Sequence, residues 1–179
     1  MPSATVSVNE IYARIRDVPD FPKPGILFKD ITPLLLDPRL FRTAIDLMAQ
    51  PFRDAAVSRV ISIESRGFLL GAPIALALDA GLVPIRKPGK LPAARGRVEY
   101  LLEYGSDALE MHQDAVSAGD RVLVVDDVLA TGGTAEAAGK LVRAHGAVVV
   151  GFTFLLELRF LTGRSRLANE RVEALLQYA

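Results

Sequence analysis

The stretch from Val122 to Thr134 constrains the fold more than any other: Val-Leu-Val-Val-Asp-Asp-Val-Leu-Ala-Thr-Gly-Gly-Thr. Four consecutive apolar residues, three of them β-branched, run without polar alternation, which predicts a parallel strand buried on both faces. That strand ends in two carboxylates, Asp126 and Asp127. A short apolar link leads to Ala130, Thr131, Gly132, Gly133 and Thr134, and then Ala138, Leu141 and Val142 fall on one face of a helical pattern. Strand, small Gly-rich loop and helix in succession leave unpaired N–H groups aimed at an anion, and a phosphate fits there. The paired acids cannot favour a phosphate by charge. They suit hydroxyl groups, a metal or a developing cation. A Walker B strand also ends in acids, but its partner loop, Gly-x-x-x-x-Gly-Lys-[Ser/Thr], is missing: Gly89-Lys90 and Gly139-Lys140 are each followed by Leu.

With 179 residues, half of them apolar, the chain can bury one good core. Its 21 basic and 21 acidic residues leave no global field that would draw nucleic acid or an anionic membrane. Cysteine is absent and only His112 and His145 are present, so a disulfide framework, thiol catalysis and a His-rich zinc site are excluded. No apolar run approaches the roughly 18 residues of a membrane span, and no basic segment with an apolar core opens the chain. A soluble, cytoplasmic protein is expected.

Other stretches carry weaker signals. Ser7 to Arg16 predicts a short helix capped by Ser7. Val18 to Gly25 holds three prolines and a glycine, which predicts an extended, irregular path into the apolar segment Ile26 to Leu34. Asp37-Pro38 marks a helix start. Val60 to Ile63 predicts a strand, followed by Glu64-Ser65-Arg66-Gly67 and a helix over Phe68 to Ala80 with Leu69, Ile74 and Leu78 on its apolar face. A Gly-containing turn with Arg at a helix start suits oxygen-rich anions. After the short strand Leu82 to Ile85 come Arg86, Lys87 and Lys90. Five Arg/Lys residues between positions 86 and 97, with no interleaved aromatic, suit a small polyphosphate better than nucleic acid. Ala93 to Val98 reads as a non-periodic, mobile loop. Glu99 to His112 reads as an antiparallel pair, in which Glu103 could be an ordinary solvated residue. Val148 to Leu156 predicts a last long strand.

The strand, two acids and Thr-Gly-Gly-Thr loop resemble the type I phosphoribosyltransferases. The segment Phe21-Pro-Lys-Pro-Gly-Ile-Leu-Phe-Lys-Asp-Ile-Thr-Pro33 narrows the resemblance to the adenine-specific branch, as do Glu64-Ser-Arg-Gly-Phe68, Arg86-Lys-Pro-Gly-Lys-Leu-Pro92 and Leu102-Glu-Tyr-Gly105. It covers residues 10 to 168 well and the C-terminal tail loosely. The resemblance implies an α/β fold, a mostly parallel twisted sheet with helices on both faces, and a small N-terminal hood. One domain is expected over 1–179, with the hood at about 1–36, the core at about 37–160 and a mobile loop at about 90–105.

The implied reaction transfers 5-phosphoribose from 5-phosphoribosyl-1-pyrophosphate to adenine, giving AMP and pyrophosphate. Mg²⁺ would be carried by the donor, with no metal ligand from the chain itself, and a homodimer is the expected assembly. Glu103, Asp126 and Asp127 would be catalytic, and Ala130, Thr131, Gly132, Gly133 and Thr134 would hold the 5-phosphate. Glu64, Ser65, Arg66, Arg86, Lys87 and Lys90 would form the pyrophosphate site; Leu27, Phe28 and Lys29 would contact adenine, and Tyr104 would close over the substrates. In the family the Glu64-Ser65 bond is often cis, and many members carry Arg at the position of Lys29. Ala94-Arg-Gly-Arg97 departs from the more acidic family loop. Hypoxanthine or xanthine as acceptor, or a regulator that only senses the donor, are the alternatives.

Overall fold

The structure is a computed structural model that describes residues 6–101 and 106–179. The chain packs as two compact units, Met1–Leu47 and Met48–Ala179.

The first unit begins with α1 (Val8–Tyr12), where Ser7 and Glu10 form a reciprocal capping box. The helix is shorter than predicted. Arg16–Pro19 leaves it to become strand β1, antiparallel to β2 (Leu27–Asp30). The expected irregular path is therefore confined to the turn between them. A two-stranded ribbon tolerates Pro19 because its missing N–H falls where the strand ends. Pairing sets Arg16 opposite Asp30 and Asp17 opposite Lys29, and both pairs close into ion pairs at 2.6 Å. Asp20 and Gly25 take positive φ in the turn, the Phe21–Pro22 bond is cis, and the Asp20 carboxylate accepts the Gly25 N–H at 2.8 Å. Two helices follow, α2 (Thr32–Leu35) and α3 (Pro38–Ala49). Asp37 caps α3 as predicted, accepting the N–H groups of Arg39 and Leu40.

The second unit is built on five parallel strands. In chain order they are β3 (Arg59–Ile63), β4 (Gly81–Ile85), β7 (Arg121–Leu129), β8 (Val148–Leu158) and β9 (Val172–Tyr178), and in space β4-β3-β7-β8-β9. An antiparallel hairpin, β5 (Arg95–Leu101) with β6 (Ser106–His112), separates β4 from β7 in sequence. Val122 to Val125 are completely buried, as an unbroken apolar run requires. From β3 the chain crosses through α4 (Gly67–Ala77) to β4 on one side; from β7 it crosses through α5 (Gly133–Ala144) to β8 on the other. Crossovers of one hand running in opposite directions put the two helices on opposite faces. Register agrees. Ser62 stands beside Val125 and backs Gly71 of α4, whereas Phe152 stands beside Val124 and backs Gly139 of α5.

Three sequence expectations change. Arg95–Val98, expected as a loop, forms one strand with Glu99–Leu101: exposed Arg95, Arg97 and Glu99 alternate with half-buried Gly96, Val98 and Tyr100, and the stretch is ordered by pairing with β6 and by Gly96 lying against His145 of the α5 end. On α4, Leu70 is buried and Leu69 is half exposed, because a helix apolar on every side gives no polar stripe to fix its rotation. Finally, β7 runs on through Asp126 and Asp127 to Leu129, where a strand ending at the acids was expected.

Close packing of α4 on β3 rests on Gly71, whose added Cβ would overlap the Ser62 side chain. Gly71→Ala is expected to lose about 1–3 kcal/mol by overpacking. Urea denaturation measures it, and a loss within 0.5 kcal/mol (about the surface-substitution range) would show that the contact yields freely.

Candidate active site

Strand pairing makes the cleft. β3 accompanies β7 only as far as Ser62 beside Val125, while β8 continues beside β7 to Leu129. The crossovers leave in opposite directions between β3 and β7, so the carboxyl ends of these two strands form the topological switch point where α/β sheets bind ligands. Asp126 and Asp127 lie beyond the last β3 pairing, and the Glu64–Gly67 turn lies across from them. An added Cβ on Gly67 would stand 2.9 Å from Asp126 Oδ1 and 3.2 Å from the Val125 carbonyl, so only glycine lets the two strand ends approach this closely. Arg66 Nε reaches Asp127 Oδ2 at 2.7 Å. The Glu64–Ser65 bond is cis.

Burial pushes Asp126 well above the usual carboxylate range, and the adjacent Asp127 charge adds to it. Asp127 is also raised by burial, against the opposing pull of Arg66. The two carboxyls are adjacent, so each one's ionisation opposes the other's.

Past the acids the chain turns at Gly132, φ +81°, into α5. Gly133 next to it is already the first residue of the helix. A side chain on Gly132 would strike the Gly163 carbonyl, and one on Gly163 would strike Ala130. Two glycines back to back thus hold the loop against the turn at Gly163–Leu167, a support that the sequence motif alone did not reveal. No side chain caps the start of α5. Its free N–H groups face a recess of about 70 Å³ lined by Asp126 and Val128 to Ala135, room for one small anion. A larger cavity of about 340 Å³ lies by Tyr100, Gly133 and Lys140, but there Glu136 already neutralises Lys140 and Arg166.

The basic loop after β4 forms a connected charge network. Glu64 accepts from Arg86 Nε and Nη2 at 3.3 Å, from the Lys87 backbone N–H at 3.0 Å and from Lys90 Nζ at 2.5 Å. Lys87 Nζ pairs with Asp107 and donates to the Tyr100 hydroxyl at 3.1 Å. Burial alone would raise Glu64, but Lys90, the Lys87 amide and Arg86 together outweigh it and hold the carboxyl at about 2. Glu64, Arg66, Arg86, Lys87 and Lys90 are thus brought together, with exposed Ser65 in the same turn. Sequence reasoning missed Tyr100, Asp107 and Glu110. Alternation in β6 would send Glu110 to solvent, yet it is 3 % exposed. Leu27, Phe28 and Lys29 stand on β2 in the first unit, with Lys29 Nζ held by Asp17. Glu103 and Tyr104 lie outside the described residues.

The phosphoribosyl transferase domain model matches residues 33–170. An adenine phosphoribosyltransferase of Myxococcus xanthus is 63% identical over 174 residues, 97% of this chain and 95% of that protein. The crystal structure of the adenine phosphoribosyltransferase of Rhodothermus marinus superposes with a TM-score of 0.92 at 53% identity, covering 96% of this chain and 98% of its own. That of Saccharomyces cerevisiae, complexed with adenine and an imino-altritol 1,6-bisphosphate, gives 0.89 at 43% identity over 94% and 98%.

The low pKa of Glu64 has a definite sign. A carboxyl depressed in the folded state adds stability above its ordinary value of 4.5, and that stability is lost as pH falls toward about 2. Between those limits Glu64→Gln is expected to flatten the slope of unfolding free energy against pH by up to about one proton. Parallel slopes for the two proteins would show that the network does not hold the charge.

Proposed function

The chain belongs to the phosphoribosyltransferase family, and on that footing we propose that it transfers the 5-phosphoribosyl group from 5-phosphoribosyl-1-pyrophosphate to adenine, releasing pyrophosphate and AMP. The observation that carries this reading is the pairing of two anion-binding loops across one switch point: the start of α5 on one side and the Arg86–Lys90 loop on the other, with two carboxylates between them. Only a ligand anionic at both ends and rich in hydroxyls at its centre uses all three.

In this reading Ala130 to Thr134 hold the 5-phosphate, with Gly132 and Gly133 admitting it to the α5 amides. Arg86, Lys87 and Lys90 receive the pyrophosphate, together with the Glu64–Arg66 turn. Glu64 and Asp107 release their cations as the ligand's oxygens replace them. Asp126 and Asp127 hold the ribose hydroxyls. As the bond from the anomeric carbon to pyrophosphate breaks and the bond to the purine nitrogen forms, positive charge gathers at the sugar, and the acid pair offsets it. Leu27, Phe28 and Lys29 read the base, Glu103 manages the proton on the purine ring, and Tyr104 closes over the substrates. Mg²⁺ would be carried by the donor's hard phosphate and hydroxyl oxygens, the ligand type that suits this ion. Bound there, it would neutralise charge on the departing pyrophosphate.

A cytoplasmic homodimer belongs to the same proposal. Leu69 and Leu76, 49% and 84% exposed, are spaced to share one face of α4, an apolar surface suited to a second copy. No helix among the described residues is long and apolar enough to cross a membrane.

Pyrophosphate release measured with adenine, hypoxanthine and xanthine in turn tests the proposal. Adenine should be the preferred acceptor; equal or faster turnover with either oxopurine would overturn the assignment of the base, and no release with any of them would overturn the transferase itself. Glu103→Leu is expected to lose on the order of 10²- to 10⁴-fold in turnover, the range of general acid–base work, and Glu103→Gln less. An unchanged single-turnover rate for the Leu variant would remove Glu103 from the chemistry.

A further inference from the structure

We propose that Glu110 is a positioning residue for the pyrophosphate loop, acting through the turn at Gly89 without touching the ligand itself; this rests on the transferase reading above. A carboxylate at 3 % exposure needs partners, and among the described residues its side chain finds them in the segment that carries or borders the basic residues. Its Oε2 accepts the Gly89 backbone N–H at 2.9 Å and lies 3.0 Å from Arg95 Nε. The backbones of Glu110 and Arg86 exchange hydrogen bonds at 2.9 and 2.8 Å. Arg86 Nη1 then closes the loop on the Lys90 carbonyl at 3.2 Å.

β6 therefore grips both limbs of the Arg86-Lys-Pro-Gly-Lys90 turn, one through its backbone and one through the Glu110 side chain. Gly89 sits at φ +78°, a conformation that favours glycine, and its backbone N–H is the group that Glu110 holds. A negative charge so near a site for anions would weaken binding by its field alone. Arg95 offsets that charge, and what the carboxylate contributes in return is a fixed turn geometry, which holds the cations where the ligand's oxygens will be.

Calorimetric binding of pyrophosphate with Mg²⁺, and separately of AMP, tests this in wild type, Glu110→Ala and Glu110→Gln. In Glu110→Ala the affinity for pyrophosphate should fall about 10-fold or more, the loss of a hydrogen bond to a charged group, while AMP, which needs the other loop, binds as in wild type. Glu110→Gln keeps an acceptor for the Gly89 N–H and should recover most of the loss. A folded Ala variant that binds pyrophosphate within about 2-fold of wild type, below the smallest loss expected for such a bond, would overturn the inference. So would an equal loss for AMP, the mark of a general defect. If Glu110→Ala does not fold, Gly89→Ala strains the same turn in open space and must show the same selective loss. Wild type that binds no pyrophosphate would refute the transferase reading instead, and so the two failures are distinguishable.

Discussion

Everything in the second unit follows from the parallel pairing of β7 between two neighbours of unequal reach. β3 stops beside Val125, β8 continues, and the half-strand left over carries half-buried Asp126 and buried Asp127 to the cleft at the strand ends. A buried strand must be apolar to the point where its second neighbour ends. Past that point polar side chains have water or a ligand to face, and so the chemistry begins where the pairing stops. Gly67 completes the arrangement by letting the β3 turn close on the acids.

Electrostatics then divides the cleft into three. The α5 end offers amide N–H groups and no full charge. The acid pair is held against ionisation by burial and, at Asp126, by the neighbouring Asp127 charge, while Arg66 pairs with Asp127. The basic loop is rich in cations, but each has a carboxylate partner, Glu64 for Arg86 and Lys90, Asp107 for Lys87. Without ligand the cations are thus neither repelled from one another nor free to wander, and a polyphosphate binds by exchanging one set of oxygens for another. Rigid placement with exchangeable partners suits a reaction in which the protein makes no covalent bond and works by positioning.

How much of this the sequence revealed depends on where each residue's partners lie. Val122 to Val125, the Gly132 turn and the Asp37 and Ser7 caps were legible because their causes are local: an apolar run, a positive φ, a side chain reaching its own helix. The first half of β5 was not, because the small Gly96 among basic residues masked an alternation that the structure completes through β6 and through His145, far off in sequence. The rotation of α4 was hidden by its uniform apolarity, and β1 by prolines that an edge ribbon accepts. Among site residues, the basic loop was visible as charge, whereas Glu64 as its common partner, and the roles of Asp107, Glu110 and Gly163, exist only through tertiary contacts.

The division of one ligand between two loops is tested most directly by amide NMR, following Gly132 and Gly89 as wild type is titrated. With ribose 5-phosphate the Gly132 resonance should shift and Gly89 stay, with pyrophosphate and Mg²⁺ the reverse, and with the whole donor both should move together. Ribose 5-phosphate moving Gly89 while leaving Gly132 unchanged would contradict the placement of the donor across the β3–β7 switch point.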